Sequence, residues 1–346
     1  MRKLILILCL IVSTVIPVSA MDFTAPPAPE GAQEFMPDET NSFGEGLWYV
    51  LKSAISKLQP SLTEAAGVCL SLFAIVLLVS VLQSVSDSVK KTAQLVCTLG
   101  IGILLLYPTN SLISLGKETV AELSDYGKLL LPVLTGVLAA QGGTTSSAAL
   151  YTTTAIFDAV LSSAITKLIV PMLYIYLCLC VANSVTGESL LKKLRDFLKW
   201  AMTWSLKIVL YIFTGYISVT GVVSGTADAA TIKATKLAIS GAVPVVGNIL
   251  SDASETILVS AGVLKSAVGI YGLLAILAVW IGPFLQIGSQ YILLKVTAAA
   301  CSVIGTKEST ALIEDFSGAM GMLLAMTGTV CLLLLISTVC FLKGVS

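Results

Sequence analysis

The stretch Gly221 to Gly272 reads GVVSGTADAATIKATKLAISGAVPVVGNILSDASETILVSAGVLKSAVGIYG, and it is neither plainly a loop nor plainly a membrane span. Small residues crowd it, charges of both signs are spread through it, and Gly241-Ala-Val-Pro-Val-Val-Gly247 interrupts two helical patterns at its middle. Apolar backbone broken by Gly and Pro survives at a membrane only where protein or a water-filled cavity satisfies its amides, because lipid offers no hydrogen bonds. The segment is therefore expected to pack on something, in an external or re-entrant position. Gly221, Gly225, Asp228, Lys236, Gly241, Pro244, Gly247 and Asp252 are its candidate packing and contact residues.

Composition makes the rest of the chain a membrane protein. Of 346 residues 56% are hydrophobic and only 12% charged, where a soluble domain carries about a quarter; mean hydropathy is +0.95. Net charge is zero and there is no histidine. Nothing suggests a nucleic-acid footprint, and histidine-dependent hydrolysis, histidine proton relays and most zinc sites are excluded. The eight cysteines form no CxxC pair, lie in apolar runs and read as small buried hydrophobes. Gly305-Thr-Lys307 lacks a phosphate-binding loop before it, and neither HExxH nor GxSxG occurs. No cofactor or metal is implied and no enzyme is expected.

In chain order, residues 1–20 combine Arg2-Lys3, an apolar core from Leu4 to Ile16 and a small-residue ending at Ala20, the pattern of a signal peptide. Residues 21–46 hold four prolines, six acidic residues and no Lys or Arg, and read as a disordered or extended tether outside the cytoplasm. Residues 47–346 form the multispanning domain, beginning with an interfacial helix whose apolar face is Trp48, Leu51, Ile55 and Leu58.

The fold expected is all-α and polytopic. Spans are placed at about 65–85, 92–107, 201–223, 268–287, 291–304 and 318–342, with an odd number of crossings within 129–186. Seven spans satisfy the charge pattern and nine would also. This count joins 268–287 to 291–304 by a turn at Gly288-Ser289, leaves Lys307, Glu308, Glu314 and Asp315 in an external loop, and puts Lys343 in the cytoplasm, opposite the tether. Lys192, Lys193, Arg195 and Lys199 oppose an apolar stripe of Leu190, Leu191, Leu194, Phe197 and Leu198, which predicts a basic amphipathic helix on the cytoplasmic surface.

Asp158 and Lys295 interrupt apolar runs. A charge at mid-bilayer costs about 3 kcal/mol on insertion scales and marks an interior or pore-facing site, unless it lies near a span boundary. Gly221/Gly225, Gly318/Gly321 and Gly262/Gly269/Gly272 are small-residue faces suited to close helix packing. Asp252-Ala-Ser-Glu255 reads as a capping box.

Gly225-Thr-Ala-Asp228, Lys233-Ala-Thr-Lys236, Gly241 to Gly247, Ser251 to Thr256 and Leu264 to Gly269 together resemble the stage III sporulation protein AE family of endospore-forming bacteria. That resemblance implies a subunit of the channel between mother cell and forespore, in the mother-cell membrane around the forespore, required for late forespore gene expression. Implied partners are the other proteins of its operon, including a secretion-type ATPase and ring-forming proteins, and a forespore protein across the intermembrane space. A homo-oligomer is a further possibility of the same reading. The rival is a self-sufficient secondary transporter using Asp158 and Lys295, and a weaker third is a membrane assembly scaffold. No catalytic residues come with the resemblance.

Overall fold

A computed structural model describes residues 25–37, 42–85, 90–140, 144–219 and 267–343, and these contain helices and no strand. The segment 220–266, with Gly221, Gly225, Asp228, Lys236, Gly241, Pro244, Gly247 and Asp252, lies outside the described residues, as do the leader and Gly262. Among the described residues, five helices are long and apolar enough to cross a membrane: Gln59–Gln83, Lys90–Ala139, Ser147–Thr186, Val268–Ile304 and Lys307–Leu342.

The elements are α1 (Glu30–Gln33), α2 (Phe43–Lys57), α3 (Gln59–Val85), α4 (Lys90–Ala140), α5 (Thr144–Ala164), a π-helical turn (Ile165–Ile169), α6 (Val170–Thr186), α7 (Ser189–Val219), α8 (Ala267–Ile304) and α9 (Lys307–Lys343). Pro171 has no N–H to offer the carbonyl of Lys167, and the wide π turn carries the chain past that gap without ending the helix. Gly187, at φ 68°, closes α6 in the left-handed conformation that a side chain would disfavour.

α9 is the axis of the molecule. Its apolar residues run all round, and the apolar stretch that would span a membrane is entirely buried inside the protein. Three of its buried hydroxyls are satisfied within the helix: those of Thr327, Thr329 and Thr338 donate to Leu323, Ala325 and Leu334 carbonyls at 3.0, 2.6 and 2.8 Å. Thr154 donates to Ser337 at 2.9 Å. Glycines on α4 let it lie close: a Cβ on Gly116 or Gly127 would stand 2.9 Å from Met326 Cε or 2.7 Å from Leu334 Cδ2.

Several expectations are corrected here. α8 passes through Gly288-Ser289 as one helix rather than two spans, because Ser289 Oγ turns back to the Gln286 carbonyl at 2.8 Å and the flanking apolar residues keep one helical face. The second expected span and the short apolar run at 129–140 are both parts of α4, which runs through Pro108 and Pro132. The basic amphipathic helix and the following span are likewise one helix, α7. At 37 residues α9 is about 55 Å long, well beyond a hydrocarbon core of about 30 Å. Apolar length therefore does not by itself count crossings, since much of it is protein interior.

Because α8 is one helix, α9 runs back to the end from which α8 sets out. Cys97 Sγ lies 3.5 Å from Ser309 Oγ and Arg195 bonds Asp315, so the starts of α4, α7 and α9 share one end of the bundle. At the other end the tether docks: Ala28 N–H donates to Tyr271 Oη at 3.2 Å, Tyr126 Oη lies 3.5 Å from the Pro26 carbonyl, and a Cβ on Gly282 would meet Phe35. Gly269 abuts Leu342 there. Tether and Lys343 thus share an end, whereas the sequence pattern had them opposed. Val219 and Ala267, which flank 220–266, close and open helices at this same end.

Candidate functional site

The basic end is built from three helices. Arg195, one turn and a half into α7, points inward: its Nη1 donates to Asp315 Oδ2 of α9 at 2.5 Å, and its Nε and Nη2 donate to Asp196 Oδ1 at 3.1 and 2.9 Å. The side chains of Arg195 and Asp315 are only 12% and 14% exposed. Tyr176 of α6 adds a hydrogen bond from its hydroxyl to the Asp315 carbonyl at 3.3 Å. Gly318 makes the room: a Cβ there would lie 3.3 Å from both Tyr176 Oη and Lys199 Nζ. Lys192, Lys193, Arg195 and Lys199 of α7 therefore do not form a single outward face. Lys192 and Lys193 are exposed, whereas Arg195 and the head of Lys199 turn towards α9.

Asp315 and Tyr176 were missed as partners because the first was assigned to an external loop. The signal was present in the register: Leu312, Phe316, Ala319 and Leu323 share one helical stripe through Asp315's neighbours, which extends α9 back to Lys307. Leu198, expected on the outer stripe, packs on the core, while Leu190, Leu194, Phe197, Trp200 and Trp204 remain exposed. Along α7, Phe197 stacks on Trp200 at a centroid distance of 5.9 Å and Trp200 meets Trp204 in a tilted contact at 6.1 Å. Aromatic rings beside lysines suit a membrane interface.

Asp158 is buried, at 4% exposure, between α5 and α4. Ser124 Oγ donates to its Oδ2 at 2.6 Å, and Oδ1 has no hydrogen-bond partner among the described residues. Lys295 is exposed on α8, and the structure does not bring it to Asp158. The two charges singled out from the sequence form no common site.

On the tether side, α2 packs its small face, Gly46, Val50 and Ala54, on α8, with Gly46 against Leu274. Trp48 and Ile55 point outward at 70% and 60% exposure, whereas Leu51, expected on the same face, packs on the core. Lys57 pairs with Glu34 and lies 5.0 Å from the Phe35 ring, tying the tether to the end of α2. Gly269 and Gly272 serve internal packing, against Leu342 and Leu130.

A sequence profile described as Stage III sporulation protein AE matches residues 35–343, nearly the whole of this architecture. The chain belongs to that family. A family member from Bacillus subtilis (strain 168), Stage III sporulation protein AE, is 24% identical over 240 residues. The alignment covers 69% of this chain, and the chain spans about 60% of that relative's length. No solved structure matches.

Proposed function

We propose that the chain is a non-enzymatic membrane subunit of the channel that joins mother cell and forespore, a secretion-like complex needed for late forespore gene expression. The observation that supports this most is the family match over residues 35–343, joined to a bundle whose two ends differ. One end presents Lys90, Lys91, Lys192 and Lys193, the pattern of a cytoplasmic face. The other receives the docked tether and both flanks of 220–266, and would face the intermembrane space. In this reading the protein sits in the mother-cell membrane, the basic end meets an operon partner such as a secretion-type ATPase, and the tether end meets ring-forming proteins or the forespore partner. The separation of Asp158 from Lys295 gives the self-sufficient transporter no paired charge site to work with.

The test is purification of the tagged protein from sporulating cells in mild detergent, with identification of what remains bound. Recovery of the other channel components is expected, and their loss on replacing Lys192 and Lys193 by glutamate would assign the basic end. Recovery of this chain alone, from a preparation in which a second tagged component still retrieves the complex, would refute the subunit reading.

A further inference from the structure

The exposed apolar surface of α3, α4 and α8, including Leu70, Leu82, Ile103, Leu106, Ile292 and Val296, gives way at Tyr107 to the charged stretch Lys117 to Lys128 of α4. At that border lies a cavity of about 270 Å³. Three helices each supply two polar side chains to it at helical spacing: Ser61 and Glu64 from α3, Tyr107 and Ser111 from α4, Gln286 and Gln290 from α8. Glu64 and Tyr107 stand exposed at the mouth, and Gln290 forms the floor beside Ala65 at 5% exposure. Gln290 lines the cavity as a residue only 5% exposed, and its side chain makes no hydrogen bond to the described residues, so its amide is left to whatever fills the cavity. A buried polar group of this kind is normally paired with protein, water or a ligand. Pro108, also in the lining, offers no N–H to the carbonyl of Leu104 and opens a further acceptor at this level of α4.

We propose that this cavity binds a small monovalent cation. It holds one carboxylate and no Lys or Arg, so its charge balances a single positive charge. Its remaining groups, two amide carbonyls and three hydroxyls, are neutral oxygen donors of the kind that replace water around a hard cation. The set is too poor in carboxylates for a divalent ion, and it lies where the apolar belt ends, so an ion reaches it from water without crossing lipid. Occupation would tie α3, α4 and α8 together at the point where proline interrupts α4.

The experiment uses the purified full chain in detergent, exchanged into N-methylglucamine chloride and titrated with sodium, potassium or ammonium chloride at constant ionic strength, with the melting temperature as readout. A saturable rise with at least one of these ions is expected, as binding to the folded state alone requires. Glu64→Gln and Gln290→Leu should each weaken the apparent affinity at least tenfold, while Glu118→Gln, farther along α4, leaves it unchanged. Melting that follows ionic strength alone, identically for all cations, would mean a cavity holding only water and would overturn the proposal. So would a wild-type response in either variant with native circular dichroism. Should Gln290→Leu fail to fold, Glu64→Gln at the exposed mouth decides.

Discussion

Replacing Arg195 by alanine removes the positive partner of Asp315 while leaving its carboxylate between α6, α7 and α9. Deleting one partner of a fully buried ion pair costs about 3–5 kcal/mol, because the surviving charge has lost both water and its counter-ion. Here the side chains retain 12% and 14% exposure and Lys199 stands close enough to share the charge. The expected loss is therefore smaller, about 2–3 kcal/mol. Asp315→Asn, which keeps an acceptor for the Arg195 fork, should cost about 1 kcal/mol, as for one charged hydrogen bond weakened to a neutral one. The double variant should cost less than the two singles together, leaving a coupling of about 1–2 kcal/mol. A thiol-reactive fluorogenic dye reports the melt, because Cys97, Cys180 and Cys331 are buried until the bundle opens and Cys178 supplies a constant baseline. Lys193→Ala, on the exposed face, serves as control and should not shift the midpoint. An Arg195→Ala midpoint equal to that of Lys193→Ala, or strictly additive single variants, would show that the pair does not hold the basic end together.

Impermeant labelling of single cysteines at positions 33, 193 and 343, in a background without other reactive thiols, should place 33 and 343 on one side of the membrane and 193 on the other; opposite sidedness of 33 and 343 would contradict the bundle's topology. Asp158→Asn keeps an acceptor for Ser124 and should change stability by less than about 1 kcal/mol, with sporulation intact by spore count; total loss of sporulation at normal protein level would make Asp158 a transport residue. Lys57 holds the Glu34 carboxyl below the usual carboxylate range, chiefly by its hydrogen bond. The pair's contribution is accordingly present at neutral pH and lost as pH falls through Glu34's lowered value, since a depressed folded-state pKa stabilises only above it. Protease cleavage of the tether should rise on acidification below pH of about 4, and Glu34→Gln should remove that dependence; an unchanged acid response in this variant would assign it elsewhere.

Much of the chain was legible from residue types. Apolar length marked the helices that became α3, α5 to α6, α8 and α9, whereas 21–46, expected as a disordered or extended tether, holds the helix Glu30–Gln33 docked against α8. Burial inside the bundle was not legible, because Leu, Met, Val and Cys serve a lipid-facing helix and a protein-enclosed one equally well. α9 was read as one more span when it is the core the others surround. The turn at Gly288-Ser289 failed for a related reason: small residues permit a turn but also continue a helix when apolar neighbours on both sides share one packing face. Arg195 was grouped with its lysine neighbours by charge, yet i and i+3 positions on α7 put it on the buried side, where only the approach of Asp315 and the missing side chain of Gly318 make a cation tolerable.

Amino-acid types by themselves determined that this protein is helical and carries helices apolar enough to cross a membrane, because hydropathy and backbone propensity are local properties of a few consecutive residues. Only the tertiary structure decided that tether and C-terminus share an end, that Arg195 meets Asp315, and that six polar side chains from three helices converge on one cavity. Those depend on which faces meet across more than a hundred residues of chain, and hydrophobic burial, being non-directional, does not announce its partner in advance.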